Sequence, residues 1–362
     1  MADKADIKAE AERLFAAFQD AGAAPVETAL LQPAEVLLDL YGEDIRARAY
    51  VTSDGVLGEQ MLRPDFTVPI VQAHMQDGAE PARYTYMGAV FRQQQAGTGR
   101  ANEYMQVGYE VFDRTNPAEA DAEVFALFDR TLSGRGLQAS TGDIGILIAA
   151  VQGLETSPRR RAALLRHIWR PKRFRALLDR FAGRGPAPEG RAELVDALAG
   201  LDLGQIVQGA GPEIGLRSAH EVVARLDALR MDSDVPAIPG AQIDAVLALL
   251  DIAEPVETAA ETLNEVAAQL PSIKNAVTNF QARLDALKTH AVDLSWVTYE
   301  GAYGRTSMEY YDGFVFGFAQ NGAAPVASGG RYDALTRVLG QGREIPAVGG
   351  VIRPAQLLEA GL

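Results

Sequence analysis

RYTYMGAVFRQQQAGTGRANEYMQVGYEVF, residues 83–112, holds two runs of strand-forming residues, 84–92 and 104–112, around a polar segment with Gly97 and Gly99. That pattern predicts an antiparallel hairpin with a long loop. Side chains alternate across a strand, so Met105, Val107, Tyr109 and Val111 share one face, while Gln106, Gly108 and Glu110 share the other. The apolar face can pack on a core. The opposite face offers an amide, a gap and a carboxylate, which suits a small cationic ligand on a rigid sheet. On the first strand Gly88, Val90, Arg92 and Gln94 alternate with Met87, Ala89 and Phe91. In-register pairing brings Arg92 beside the Gln106/Glu110 face, as a cation for a carboxylate or phosphate. The competing reading is a solvated sheet face with a cross-strand Arg–Glu pair, and the hairpin alone leaves both open.

Composition narrows the class. At 362 residues the chain exceeds what one hydrophobic core usually supports, so one large and one smaller domain are expected. It has no cysteine, which excludes disulfides, thiolate metal sites and cysteine nucleophiles. The histidines, His74, His167, His220 and His290, are dispersed without an HExxH spacing, so no metal is expected. The N-terminus, MADKADIKAE, has no apolar core of a signal peptide, and no stretch is long and apolar enough to span a bilayer. A cytoplasmic protein without membrane contact is the expectation. The formal net charge of −14 speaks against extensive nucleic-acid binding unless basic groups are concentrated.

Outward from the hairpin, residues 1–22 read as an amphipathic helix with Ile7, Leu14, Phe15 and Phe18 on one stripe and Gly22 as its stop. Met61-Leu62-Arg63-Pro64-Asp65-Phe66-Thr67 reads as a strand running into a turn, with a helix from Val68. Asp65 and Thr67 thus sit at an element boundary, placed for ligand contact or for capping the helix. A helix is expected over 118–132. From 142 to 291 the signals are nearly all helical, which predicts an insertion between two halves of a sheet domain, 1–141 and 292–362. Gly209 and Gly211 form a GxG that follows no strand and reads as a helix connection. Within the insertion, residues 158–175 (PRRRAALLRHIWRPKRFR) carry eight arginines and lysines. They form either a solvated helix face or a dock for an acidic partner or RNA. Strand character returns at 296–300, 309–320 and 324–327. Ser328-Gly329-Gly330 then leads toward a helix, and a strand over 347–352 precedes a last helix opened by Arg353-Pro354.

Taken in order, LYGEDIRARAYVTSD with LRPDFT, FRQQQAGTGRANEYMQVGYEVF, MEYYDGFVFGF, ASGGRYDAL and VGGVIRP resemble the catalytic core of the histidyl-tRNA synthetases, class II enzymes. The resemblance implies an α+β fold, an antiparallel sheet flanked by helices with a mostly helical insertion. It places Asp65, Thr67, Arg92, Gln106, Glu110, Tyr311 and Tyr332 at histidine-holding positions. Arg100 and Arg353 become candidate phosphate or nucleotide contacts.

The departures matter as much. Gln94 and Asn102 stand where synthetases carry charged groups that grip ATP. The arginine that activates the histidine carboxylate falls at Thr306, with Arg305 one place away and on the other face. Losing one such group typically costs roughly 10²–10³ in rate. The chain also stops at Leu362 without the anticodon-binding domain that synthetases append. In these respects it is similar to the regulatory-subunit family of ATP phosphoribosyltransferase, the first enzyme of histidine biosynthesis. That resemblance implies no catalysis of its own, no cofactor and histidine as effector. It also implies a partnership with a short catalytic subunit, a homodimeric core within a hetero-octamer and no nucleic-acid partner. The alternative is a truncated ligase that forms histidyl adenylate.

Overall fold

The computed structural model describes residues 2–35, 48–94, 101–186, 189–211, 216–305, 310–320 and 322–361. The chain divides into two compact units, Met1–Ala149 with Ala248–Leu362, and Ala150–Leu247.

The larger unit is built on a sheet. Its elements open with α1 (Lys4–Asp20), β1 (Ala24–Pro25), β2 (Leu31–Pro33), β3 (Val51–Asp54), β4 (Gly58–Leu62), α2 (Thr67–Asp77), β5 (Ala82–Phe91), β6 (Glu103–Phe112), α3 (Pro117–Thr131), β7 (Gln138–Asp143) and α4 (Ile144–Gln152). The smaller unit contains α5 (Pro158–Arg166), α6 (Pro171–Phe181), α7 (Arg191–Leu198), α8 (Leu203–Gly209) and α9 (Ala219–Ser233). The chain returns through α10 (Gly240–Asp251), β8 (Ala253–Pro255), α11 (Val256–Gln269), α12 (Lys274–Thr289) and β9 (Val297–Glu300). It finishes with β10 (Phe314–Ala319), β11 (Ala327–Arg331), α13 (Asp333–Leu339), β12 (Ala347–Ile352) and α14 (Pro354–Glu359).

Nine strands pair in the order β1-β5-β6-β12-β11-β10-β7-β9-β8, and only β1/β5 and β7/β9 run parallel. A separate three-stranded sheet has the order β2-β4-β3. The expected hairpin forms from β5 and β6 with Tyr84 opposite Glu110, Tyr86 opposite Gly108 and Gly88 opposite Gln106. Val107, Tyr109 and Val111 are wholly buried on the other face. There Phe18 of α1 packs 5.5 Å from the Tyr109 ring and 5.3 Å from Phe128 of α3. Asp3 caps α1, its carboxylate accepting from the Ala5 N–H at 3.2 Å, and Asn116 caps α3 ahead of Pro117.

Two expectations change. Ser328, Gly329 and Gly330 lie inside β11 rather than leading out of a strand at 324–327. A Cβ on Gly329 would stand 2.3 Å from the Gly349 carbonyl oxygen, and one on Gly330 2.6 Å from that of Phe314. These glycines therefore answer close strand approach, not a turn. The all-helical stretch expected over 142–291 also divides. Residues 150–247 form the compact helical unit, whereas β8, α11 and α12 belong with the sheet. The cause is a buried ion network: Arg283 of α12 donates to Asp121 of α3 at 2.9 Å and to Asp143 of β7 at 2.8 Å. Among the described residues no helix is long and apolar enough to cross a membrane.

Candidate functional site

Glu110 is the centre of the site. Its carboxylate is 1% exposed and accepts three hydroxyls. Thr67 and Tyr86 each donate to Oε1 at 3.1 Å, and Tyr332 donates to Oε2 at 2.6 Å. Burial pushes the carboxyl up from 4.5 to about 7, although the three hydroxyls pull it down. Burial, then the charge of Glu110, lifts the phenols of Tyr86 and Tyr332 well above their ordinary value, so both stay donors. Gly349 of the neighbouring strand makes room, because a Cβ there would lie 1.5 Å from Glu110 Oε2.

The positions of the hydroxyls follow from the scaffold. Tyr86 faces Glu110 and Gly108 across the hairpin, and its ring stacks on Phe66 at 4.3 Å. Thr67 opens α2 directly after the turn at Pro64. Tyr332 lies between β11 and α13, where the Asp312 carboxylate accepts the N–H groups of Asp333 at 3.0 Å and Ala334 at 2.6 Å. That link ties the turn carrying Tyr311 to the helix start that follows Tyr332. Arg331, just before Tyr332, is anchored by a 2.7 Å bond to Asp121.

All seven residues expected to hold histidine, Asp65, Thr67, Arg92, Gln106, Glu110, Tyr311 and Tyr332, line one cavity. Its empty volume is about 350 Å³, part of it open to solvent. Arg353, Tyr310, Ser328, Gly349, Gly350 and Val351 complete the lining. Gln106 Oε1 is buried there with no hydrogen-bond partner among the described residues. A buried acceptor left unpaired costs about 1–3 kcal/mol, so a donor reaching Gln106 Oε1 from the cavity would be favourable.

The cations stand apart from these acceptors. Arg92 donates from Nε to the Pro64 carbonyl at 2.7 Å, and its Nη2 is 3.8 Å from Asp65 Oδ2. Asp65 also accepts the Val68 N–H at 3.4 Å, a capping contact, while lining the cavity. Arg353 donates to Ser328 Oγ at 3.0 Å and to the Pro325 carbonyl at 3.2 Å. Burial, with Arg92 contributing, holds its pKa below the ordinary arginine value.

Several expectations shift in detail. The gap over Gly108 is not ligand space: Tyr86 fills it, and a Cβ on Gly108 would stand 2.1 Å from the Tyr86 ring. The cavity opens instead over Gln106 and the β12 glycines. The face over Gly317 of β10 is likewise occupied, since the Tyr303 hydroxyl sits 2.0 Å from a Cβ placed there. The Gln94 N–H bonds the Asn102 side chain at 2.9 Å, so the two residues pair with each other at the loop base. Arg305 is buried, and burial lowers it to about 10. Arg100 and Thr306 lie outside the described residues. Sequence reasoning missed Tyr86, Tyr310 and Ser328. For Tyr86 the signal was available, because the in-register hairpin sets an aromatic ring opposite a glycine.

With this geometry in view, the comparisons fall into line. A family model described as Histidyl-tRNA synthetase matches residues 2–231 and 203–357. The ATP phosphoribosyltransferase regulatory subunit of Agrobacterium fabrum is 34% identical over 345 residues, 90% of this chain and 89% of the relative. That of Allorhizobium ampelinum is 35% identical over 350 residues, 92% of each. A solved ATP phosphoribosyltransferase regulatory subunit/histidyl-tRNA synthetase from Bacillus halodurans C has a TM-score of 0.69 at 21% identity, covering 99% of this chain and 81% of that one. The synthetase-like sheet and the extent of identity with these relatives lead to one conclusion: the chain belongs to the ATP phosphoribosyltransferase regulatory subunit family, on a class II histidyl-tRNA synthetase fold.

Proposed function

We propose that the chain binds free histidine in the Glu110 cavity, performs no catalysis of its own, activates a separate catalytic ATP phosphoribosyltransferase chain and conveys feedback inhibition to it. The observation that carries this reading is the pair of acceptors on β6. Glu110 Oε2 takes one hydroxyl and Gln106 Oε1 takes none, and both border the cavity. An imidazole presenting N–H groups satisfies them. Asp65 and the Thr67 oxygen, whose proton is committed to Glu110, suit the ligand ammonium. Tyr311 and Tyr332 orient the ring, and Arg92 faces the carboxylate. Feedback requires histidine to favour the inhibited assembly, typically by roughly 1–3 kcal/mol. The assembly proposed is a homodimeric core within a hetero-octamer.

The competing reading, a ligase making histidyl adenylate, draws on Arg92 and Arg353, two cations at one cavity. The deciding experiment is co-expression with a catalytic chain, measuring phosphoribosyl transfer with and without histidine. Activation relieved by histidine supports regulation. No activation, together with brisk histidine-dependent pyrophosphate–ATP exchange, refutes it in favour of the ligase.

A further inference from the structure

The stretch 158–175 holds eight basic residues and no acidic one, in a chain of net charge −14. In the helical unit they are not a uniform solvated face. Arg160 is buried, donating from Nε to Asp232 Oδ1 at 2.8 Å and from Nη1 to the Pro236 carbonyl at 2.9 Å. Arg191 of α7 takes the other oxygen of the same carboxylate at 2.6 Å. Arg180 lies 4.8 Å over the Phe181 ring, within the fields of Arg191, Asp232, Arg173 and Arg160. One aspartate therefore bonds two guanidinium groups, Arg160 and Arg191, and lies in the field of a third, Arg180. Arg166, Arg170 and Arg173 are exposed, and their charges converge on His167, whose Nδ1 is buried with no hydrogen-bond partner among the described residues.

Beside this cluster the apolar surface is unfinished. The Ser218/Glu221 capping box fixes the start of α9, yet the helix buries none of its residues. A surface helix normally buries an apolar stripe. Leu194 follows Arg191 by three positions on α7, Met231 directly precedes Asp232, and Ile206 lies on α8; all are exposed.

The geometry points to a docking surface here for an acidic amphipathic helix of a partner chain. Its carboxylates would meet the exposed Arg166, Arg170 and Arg173, and its apolar stripe would cover Leu194, Ile206 and Met231. The chemistry favours protein over RNA. Among the described residues of the unit, the large exposed apolar side chains, Leu194, Leu201, Ile206, Leu216 and Met231, carry no aromatic ring for bases to stack on, and an aliphatic face offers nothing to phosphates. The partner meant is the catalytic chain, so this inference rests on the regulatory reading above.

The test measures the affinity of the full chain for a catalytic ATP phosphoribosyltransferase chain, using R166E/R170E/R173E and, separately, L194S/I206S/M231S. I206S alone guards against misfolding. Each set should weaken association at least about tenfold, while calorimetric histidine binding stays as in the wild type. Wild-type association with unweakened variants would overturn the surface but leave the regulatory reading standing. No association by the wild-type chain would overturn both. Loss of tRNA retention, or of self-association, with partner affinity intact would overturn the proposal in favour of RNA or of a second copy.

Discussion

Replacing Glu110 by glutamine keeps the side-chain volume and removes the charge, so it isolates the cost of the buried carboxylate. Burial raises the carboxyl from 4.5 to about 7. A group that holds its proton more tightly in the native state favours folding at low pH. Its contribution is fully present below 4.5 and is lost as the pH climbs through about 7. At about 1.4 kcal/mol per pH unit the full difference is about 3 kcal/mol, most of it lost between pH 5 and pH 8. Glutamine has no such proton. The wild-type and Glu110→Gln unfolding curves should therefore lie at a constant offset below pH 4.5 and diverge toward pH 8, where the variant gains about 3 kcal/mol. At roughly 2 °C per kcal/mol that is about 6 °C in the thermal midpoint of the sheet unit. The offset itself comes from the hydroxyls, because an amide nitrogen cannot accept from Tyr332 while the oxygen keeps Thr67 and Tyr86. Histidine affinity should fall roughly 10–100-fold with the loss of a charge-assisted bond. Thermal unfolding at four pH values and calorimetric titration test both. Midpoints that run parallel from pH 5 to pH 8 would refute the reasoning.

Gln106→Leu removes an unpaired buried carbonyl, so the fold should be as stable or firmer by about 1 kcal/mol while histidine binds roughly tenfold more weakly, read by melting and calorimetry. Gly108→Ala should cost about 1–3 kcal/mol, because the new methyl displaces Tyr86 and its bond to Glu110; an unchanged melting temperature would count against the tight fit. Asp121→Asn leaves Arg283 and Arg331 inside the core short of their counter-charge and should destabilise by about 3–5 kcal/mol in denaturant titration.

Local alternation made the hairpin legible: the period of two placed Gln106 and Glu110 on one face, and the register of β5 on β6 brings Arg92 to that side. Pro354 likewise marked the start of α14. Long-range causes were not readable. Gly329 and Gly330 carry the composition of a turn, and only the rings and carbonyls of adjacent strands explain them inside β11. The division of the helical stretch depends on Arg283 meeting Asp121, 162 positions away, a pairing that no window of sequence contains.

The cavity also dictates how binding should respond to protons. Free Glu110 titrates near 7, and the imidazole of free histidine near about 6.5. Bound to each other, a carboxyl and a ring nitrogen share a single proton, whichever atom holds it, and titrate as a pair. Near neutrality the separate partners already carry about one proton between them, so binding exchanges almost none. Below that pH both are protonated and one proton must leave. Above it neither is, and one must be taken up. Affinity should therefore peak close to pH 7 and decline on both sides, with proton exchange changing sign across the peak. Calorimetry in buffers of different ionisation enthalpy at pH 5.5 and pH 8 measures that sign. Uptake at both values, or release at both, would mean that Glu110 does not meet the imidazole.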